Sequence, residues 1–343
     1  MNYSYNGSPI TPAIEIYHDL VPYLAGISES EFFGDPRKCA SAWRSAAAKF
    51  AQVFGERLPF INPVGAPLSY GHLVCLGAPL GSPPDSEPNV RPFAADIDEA
   101  IGIAERGLGM DFTRTDIFKH YVRMREALQA EFPEREIPFS GLGYEGPLTT
   151  AVLMRGQDFY CDLIDEPDKA ARLLSLLTES IVEFAKLNRR LNGRPEIYDD
   201  AGLCDDFAAL VQPSLWEEFV LPYWERYFSG LGAMTSRFVH CEGLSPKHLP
   251  LLSKVGVTHF QPSVSDMLTL DNVRAGTDIE FDWLLYAYHI TNMSAEEIEA
   301  WVDRTVQAGV GKIRTQIGRY AWQSGKTDKF FAFLNAFDKY AVK

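Results

Sequence analysis

The chain has 343 residues, 46% of them hydrophobic and 23% charged, ordinary globular values that exclude disordered, fibrous and collagen-like classes and suit one large barrel or two medium domains. Its 46 acidic against 32 basic residues give a formal charge of −14, which repels phosphate backbones and anionic lipid, so neither nucleic acid nor a membrane surface is an expected partner. Five cysteines, at 39, 75, 161, 204 and 241, are odd in number and lack CxxC spacing, which argues against a disulfide framework and fits a reducing cytoplasm.

The segment from Met1 to Pro9 carries neither a basic n-region nor an apolar h-region, and no apolar run approaches the roughly 20 residues of a membrane span, so a cytoplasmic protein is expected. Residues 1–57 read as an N-terminal helical layer, with Asp35-Pro36 as a start signal and Cys39 to Phe54 rich in Ala at helical spacing. Leu58 to Gly65 is a short apolar run closed by Pro and Gly, and Tyr70 to Gly77 begins a further element. Prolines make Gly81 to Pro92 a loop, and loops of that length are often functional. Helical patterns follow at about 96–106 and 114–131.

Ile137 to Gly143 is strand-like, and Pro147 opens a short helix to Met154. Glu166-Pro-Asp168 starts a long helix whose Leu173, Leu177, Ile181 and Phe184 form one apolar stripe. Strands are expected at Pro195–Asp199, Ser236–His240, Val257–Phe260, Asp278–Asp282 and Lys312–Gln316. Helices are expected at 213–229 with a bend at Pro222, at 246–254, near 266–274, from the capping box Ser294-Ala-Glu-Glu297 to Ala308, and from about 325.

Short strands alternating with helices imply βα units and a parallel sheet. Six or more units without a strong linker favour an α/β fold of the (β/α)₈ TIM-barrel type, a single domain over 1–343 with extra N-terminal helices. GxxxxGK[ST] is lacking, so the most specific sign of a P-loop fold is missing. Active residues of such barrels gather at strand C-termini. The residues expected there are Tyr144, Glu145, Asp199, Asp200, His240, Glu242, Gln261, Asp282, Gln316 and Arg319. Strand alternation puts His240 and Glu242 on one face and Cys241 on the other. His72, His259 and His289 have no companion spacing and read as structural.

Gly143-Tyr-Glu-Gly-Pro-Leu148 with Arg155-Gly156, Asp165-Glu-Pro-Asp168, Tyr198-Asp-Asp-Ala-Gly202, Pro213 to Tyr223 and Val239-His-Cys-Glu-Gly243 together resemble the uroporphyrinogen decarboxylase superfamily, which includes zinc-dependent, cobalamin-linked methyltransferases. The likeness is best over about 140–260 and implies a (β/α)₈ barrel with its pocket at the strand C-termini. An Arg-Gln-Ala-Gly-Arg run, by which the haem-pathway decarboxylases grip substrate carboxylates, is missing before Tyr70, which turns the expectation away from porphyrinogen decarboxylation.

The thiol methyltransferases of the superfamily carry His-x-Cys-Gly and a later cysteine as zinc ligands. In His240-Cys-Glu-Gly243 a glutamate takes the place of the ligand cysteine, and Gln316 stands near where the later one falls. The resemblance thus implies a metal set of His240, Glu242 and Gln316, whose harder donors suit an oxygen substrate. Asp199, Asp200 and Glu145 are the expected proton donors or additional ligands, and Tyr144, Gln261, Asp282 and Arg319 the expected substrate contacts. The expected activity moves a methyl group between a small O- or N-methylated compound and a corrinoid carried by a partner protein, with zinc as Lewis acid. A metal-independent decarboxylase or lyase and a non-catalytic barrel subunit are the alternatives, and the reading leaves room for a homodimer.

Overall fold

The computed structural model describes residues 2–83 and 86–342. Its strands are β1 (Tyr3–Tyr5), β2 (Ser8–Ile16), β3 (Leu80–Gly81), β4 (Asn89–Val90), β5 (Asp200–Cys204), β6 (Ser236–His240), β7 (His259–Gln261), β8 (Glu280–Leu285) and β9 (Lys312–Ile317). A seven-stranded sheet runs β1-β2-β9-β8-β7-β6-β5. Within it β1 is antiparallel to β2, and every other pair is parallel.

Two extended segments fill the space between β2 and β5. They meet in the parallel bridge of Leu68 with Leu142, where Leu68 N donates to Gly141 O at 2.7 Å and Gly143 N to Leu68 O at 2.9 Å. Gly146 N then donates to Cys204 O at 2.5 Å, joining the second segment to the end of β5. β2, the two segments and β5 to β9 supply the eight positions of a (β/α)₈ barrel. Among the described residues no backbone hydrogen bond joins β2 to the Leu68 segment, so the ladder stays open at that seam.

Helices cover the outside, and their ends follow local chemistry. Asp35 accepts from Arg37 N and Lys38 N to open Pro36–Phe54, Asp96 opens Ile97–Gly107, and Thr115 opens Asp116–Glu131. The capping box of Ser294 and Glu297 is formed and starts Ala295–Gln307. Along Pro167–Leu191 the stripe Leu173, Leu177, Ile181 and Phe184 is fully buried. One apolar core runs from Ile10 to Phe337.

The N-terminus is not wholly helical: residues 3–5 and 8–16 are strands, and β2 is the first strand of the barrel. Pro9 and Pro12 hide its alternation in the sequence. Pro12 is tolerated because β1 pairs only as far as Ile10, leaving a free edge beside it. β5 begins at Asp200, one residue past the end of the strand expected at Pro195–Asp199, and β8 runs three residues past Asp282. The 213–229 helix is interrupted at Val220 into Trp216–Phe219 and Leu221–Gly230. The Gly81 to Pro92 segment carries the short β3–β4 pair, with residues 84 and 85 outside the described residues.

Candidate active site

At the C-terminal ends of the strands, β5, β6 and β7 present one row. Cys204 is in register with His240, and His240 with Gln261. Alternation turns all three into the barrel, while Cys241 points out, fully buried, with its thiol on Asp205 O at 3.2 Å. His240 Nδ1 lies 2.7 Å from Gln261 Oε1, so it donates to that oxygen and leaves the Nε2 lone pair facing the pocket. Opposite Nε2 stand Asp206 Oδ1 at 3.5 Å and Glu242 Oε1 at 3.8 Å. Asp206 Oδ1 also accepts from Glu242 N at 2.8 Å, which ties the Asp206 side chain to the backbone that follows β6.

The adjacent aspartates of Asp205-Asp206 do different work. Asp205 is fully buried and accepts from Thr149 N at 2.7 Å, Leu148 N at 3.3 Å and Trp224 Nε1 at 2.7 Å, tying the start of helix Pro147–Arg155 to β5. Burial pushes its carboxyl up to about 6, while Trp224 and the two amides pull the other way. Gly146 makes this possible: a Cβ there would lie 2.5 Å from Asp205 Cβ and Cγ.

Glu145, on the neighbouring wall, has a buried Oε2 with no hydrogen-bond partner. Burial, then the charges of Asp206 and Asp205, hold its carboxyl well above the usual carboxylate range. It is built to hold a proton. The Cys204 thiol is accessible from the pocket yet hemmed in by protein, and burial followed by Glu145, Asp206 and Asp205 pushes it up to about 12.

Beyond β2 and β9 the pocket continues through Tyr17, His18 and Asp19. His18 pairs with Glu87, and Asp19 Oδ1 accepts from Arg319 N at 3.1 Å. The Arg319 guanidinium lies 5.6 Å from the Tyr23 ring. Glu29 is only 5% exposed, has an unpartnered Oε2, and is pushed up to about 7 by burial. The two ends are continuous electrostatically, since Tyr17 feels Glu87, Asp19 and Glu242, and Tyr70 feels Glu145, Glu87 and Asp206.

The structure therefore gathers Glu145, His240, Glu242 and Gln261, and leaves other expected residues elsewhere. Asp199 and Asp200 require correction: they lie at the start of β5, at the opposite end of the barrel. Asp199 Oδ1 accepts from Met234 N and Thr235 N, each at 2.9 Å, and Asp200 is exposed. Asp282 sits mid-strand in the barrel interior, with His259 at 2.5 Å and Lys312 and Arg314 within 3.2 Å. Burial alone would raise its carboxyl, but His259 and Lys312 outweigh burial and hold it below the usual range. Glu15 completes this cluster through Arg314. Tyr144 donates to Tyr227 OH at 3.0 Å, which donates to Gly202 O at 2.7 Å, so its hydroxyl is engaged in the barrel wall. Gln316 is half-buried in β9 opposite Glu15, with no hydrogen bond to His240 or Glu242 among the described residues. Gln261 acts as a positioning residue for His240. Asp206, Cys204, Asp19, Glu29 and Glu87 escaped the sequence reading. The alternation of buried Ala201 and Leu203 was the signal that could have moved the strand end to Cys204.

For a divalent metal, ligands at about 2.0–2.1 Å from a tetrahedral ion sit roughly 3.3–3.4 Å apart. The separations of His240 Nε2 from Asp206 and Glu242 are close to that edge, and the Gln261 contact on Nδ1 is the support that a ligating imidazole receives. Among the described residues no three His, Cys, Asp or Glu side chains gather around one metal position. The donors thus fit in kind, and His240 fits each carboxylate in pairwise spacing.

A (β/α)₈ barrel with a proton-holding carboxyl and an oriented imidazole at its strand ends defines an enzyme of the barrel class. The chain belongs to the uroporphyrinogen decarboxylase (URO-D) family, whose model matches residues 72–275. Among solved structures it is similar to a methyltransferase from Methanosarcina mazei, at 14% identity over 99% of this chain and 96% of that chain, with a TM-score of 0.69. That likeness shows the fold. No curated protein matches the chain. Among the described residues no helix is long and apolar enough to cross a membrane.

Proposed function

We propose that the protein is a methyltransferase that moves a methyl group between a small O- or N-methylated substrate and a corrinoid carried by a partner protein, with zinc at His240. The observation that carries this reading is the imidazole held by Gln261 with its free nitrogen toward Asp206 and Glu242, beside a Glu145 carboxyl that burial holds well above the usual carboxylate range. His240, Glu242 and Asp206 would hold the metal, Asp206 taking the place first expected of Gln316. Zinc bound there would draw electron density from the leaving heteroatom.

Glu145 supplies the proton that the leaving oxygen or nitrogen takes up as its bond to the methyl carbon breaks. Gln261 keeps the His240 lone pair directed inward. Two features favour methyl transfer over decarboxylation of a polycarboxylate. Arg319 is the arginine whose charge acts on Asp19 and Glu29 at this mouth, and one guanidinium does not hold several carboxylates. The loops after β5, β7, β8 and β9 also expose Leu210, Val264, Met267, Tyr288 and Tyr320 around the opening, an apolar rim of the kind that a transient protein partner covers.

Metal analysis after dialysis against micromolar zinc tests the centre. One zinc per chain is expected in the wild type and in Gln316→Ala, with loss in His240→Ala. A wild-type protein without stoichiometric metal would remove zinc from the account.

A further inference from the structure

We propose that Tyr286 is a positioning residue, which holds the loop after β7 in a strained form and through that loop keeps Glu242 opposite His240. The inference rests on the preceding reading only for the task of Glu242 as a side chain that holds zinc.

The chain that leaves β6 is tied to the chain that leaves β7 almost residue by residue. Cys241 N donates to Gln261 O at 3.2 Å, Gly243 N to Val264 O at 2.8 Å and Leu244 N to Ser265 Oγ at 3.1 Å. Of these four successive amides only Glu242 N turns the other way, to Asp206 Oδ1. Ser265 Oγ in turn donates to Pro262 O at 2.6 Å, which draws residues 262–265 together. The Glu242 side chain therefore stands on backbone whose position the β7 loop sets. Gln261, which orients the His240 imidazole, is the residue at which that loop begins.

The loop is not relaxed. Ser263 has φ +37°, in the left-handed region that a side chain makes costly and that glycine enters freely. The other non-glycine with positive φ among the described residues is Asn6, in the Asn-Gly turn between β1 and β2, where asparagine is favoured. Ser263 lies in no such turn. A strained residue persists where its surroundings hold it, and here the hold comes from the next strand. Tyr286, the first residue after β8, donates its hydroxyl to Ser263 O. Burial, then the charge of Glu242, pushes that hydroxyl up to about 12, so it remains a donor at neutral pH. The Tyr286 ring is braced edge-on against His289, with centroids 5.5 Å apart. Once the hydroxyl is removed, Ser263 is free to return to negative φ, and the bonds that the loop makes to Gly243 N and Leu244 N are the ones lost.

Hydrogen exchange resolved to single amides, on the protein free of zinc, reads the loop directly. In Tyr286→Phe the amides of Gly243 and Leu244 should exchange about tenfold faster. The amide of Asp205, which donates to His240 O at 3.0 Å on the other side of β6, should be unchanged. Adding Ser263→Gly to Tyr286→Phe removes the strain, and should bring Gly243 and Leu244 back to within about threefold of the wild type. Zinc titration against a competing chelator should show affinity about tenfold weaker in Tyr286→Phe and regained in the double variant. Unchanged exchange in Tyr286→Phe, acceleration that includes Asp205 equally, or no recovery on adding Ser263→Gly would overturn the inference. The two readings fail separately. A wild type that shows this exchange pattern and binds no zinc keeps the role of Tyr286 and removes the metal. Zinc bound equally tightly by the wild type and Tyr286→Phe keeps the metal and overturns the role of Tyr286.

Discussion

Asp205 and Asp206 are neighbours with opposite duties, and Gly146 decides which does which. Because Gly146 has no Cβ, Asp205 can press into the start of helix Pro147–Arg155 and satisfy its amides, leaving Asp206 to the pocket. The backbone at Gly146 has φ −69°, so the requirement is space and not conformation. Gly146→Ala should therefore lower stability by about 2 kcal/mol in urea unfolding, whereas Gly34→Ala, with nothing within 4 Å of its added Cβ, should be neutral or slightly stabilising. Equal stability of Gly146→Ala and the wild type would mean that Asp205 moves freely. At this scale the sequence was legible where alternation rules: His240 and Glu242 meet and Cys241 turns away. It was illegible where two acidic pairs five residues apart, Asp199-Asp200 and Asp205-Asp206, look alike and only the strand end tells them apart.

Elements with strong local chemistry were the readable ones. Proline, aspartate and serine caps mark helix starts whose side-chain bonds form as the residue types demand. Strands were less readable, because Asp200-Ala-Gly-Leu-Cys204 and Ser8 to Ile16 contain glycine or proline and owe their pairing to partners distant in sequence. The short helix Glu29–Gly34 illustrates what tertiary context adds. Its first residue, Glu29, is buried by the fold against the β2 end of the pocket, and its carboxyl rises from 4.5 to about 7. The folded state then binds this proton more tightly than the unfolded state. The resulting stability is complete below about pH 4.5 and is lost as pH rises to about 7. Relative to Glu29→Gln, the wild type should lose up to about 3 kcal/mol over that window in denaturant titrations. A constant difference between the two proteins across the window would show that Glu29 is ionised throughout.

At the scale of the molecule, eight parallel positions place every strand end on one face, and the acidic charge that the composition only totals is there concentrated around one imidazole. The barrel was legible from alternating strands and helices. Which carboxyls meet at the pocket was not, because they come from the chain after β2, from the Gly81 to Pro92 segment and from the ends of β5 and β6, whose convergence only the fold supplies. The central claim is that Glu145 gives its proton to the leaving group in methyl transfer. It is tested most directly by following the absorbance of a reduced corrinoid as it is methylated from the ether 4-methoxyphenol, across pH, in the wild type and in Glu145→Gln. The wild-type rate should fall on the alkaline side as Glu145 loses its proton, and the variant should be slower by about 10²-fold with that alkaline limb gone. A variant with the wild-type rate and pH profile, or a wild type that transfers no methyl from this donor, would contradict it.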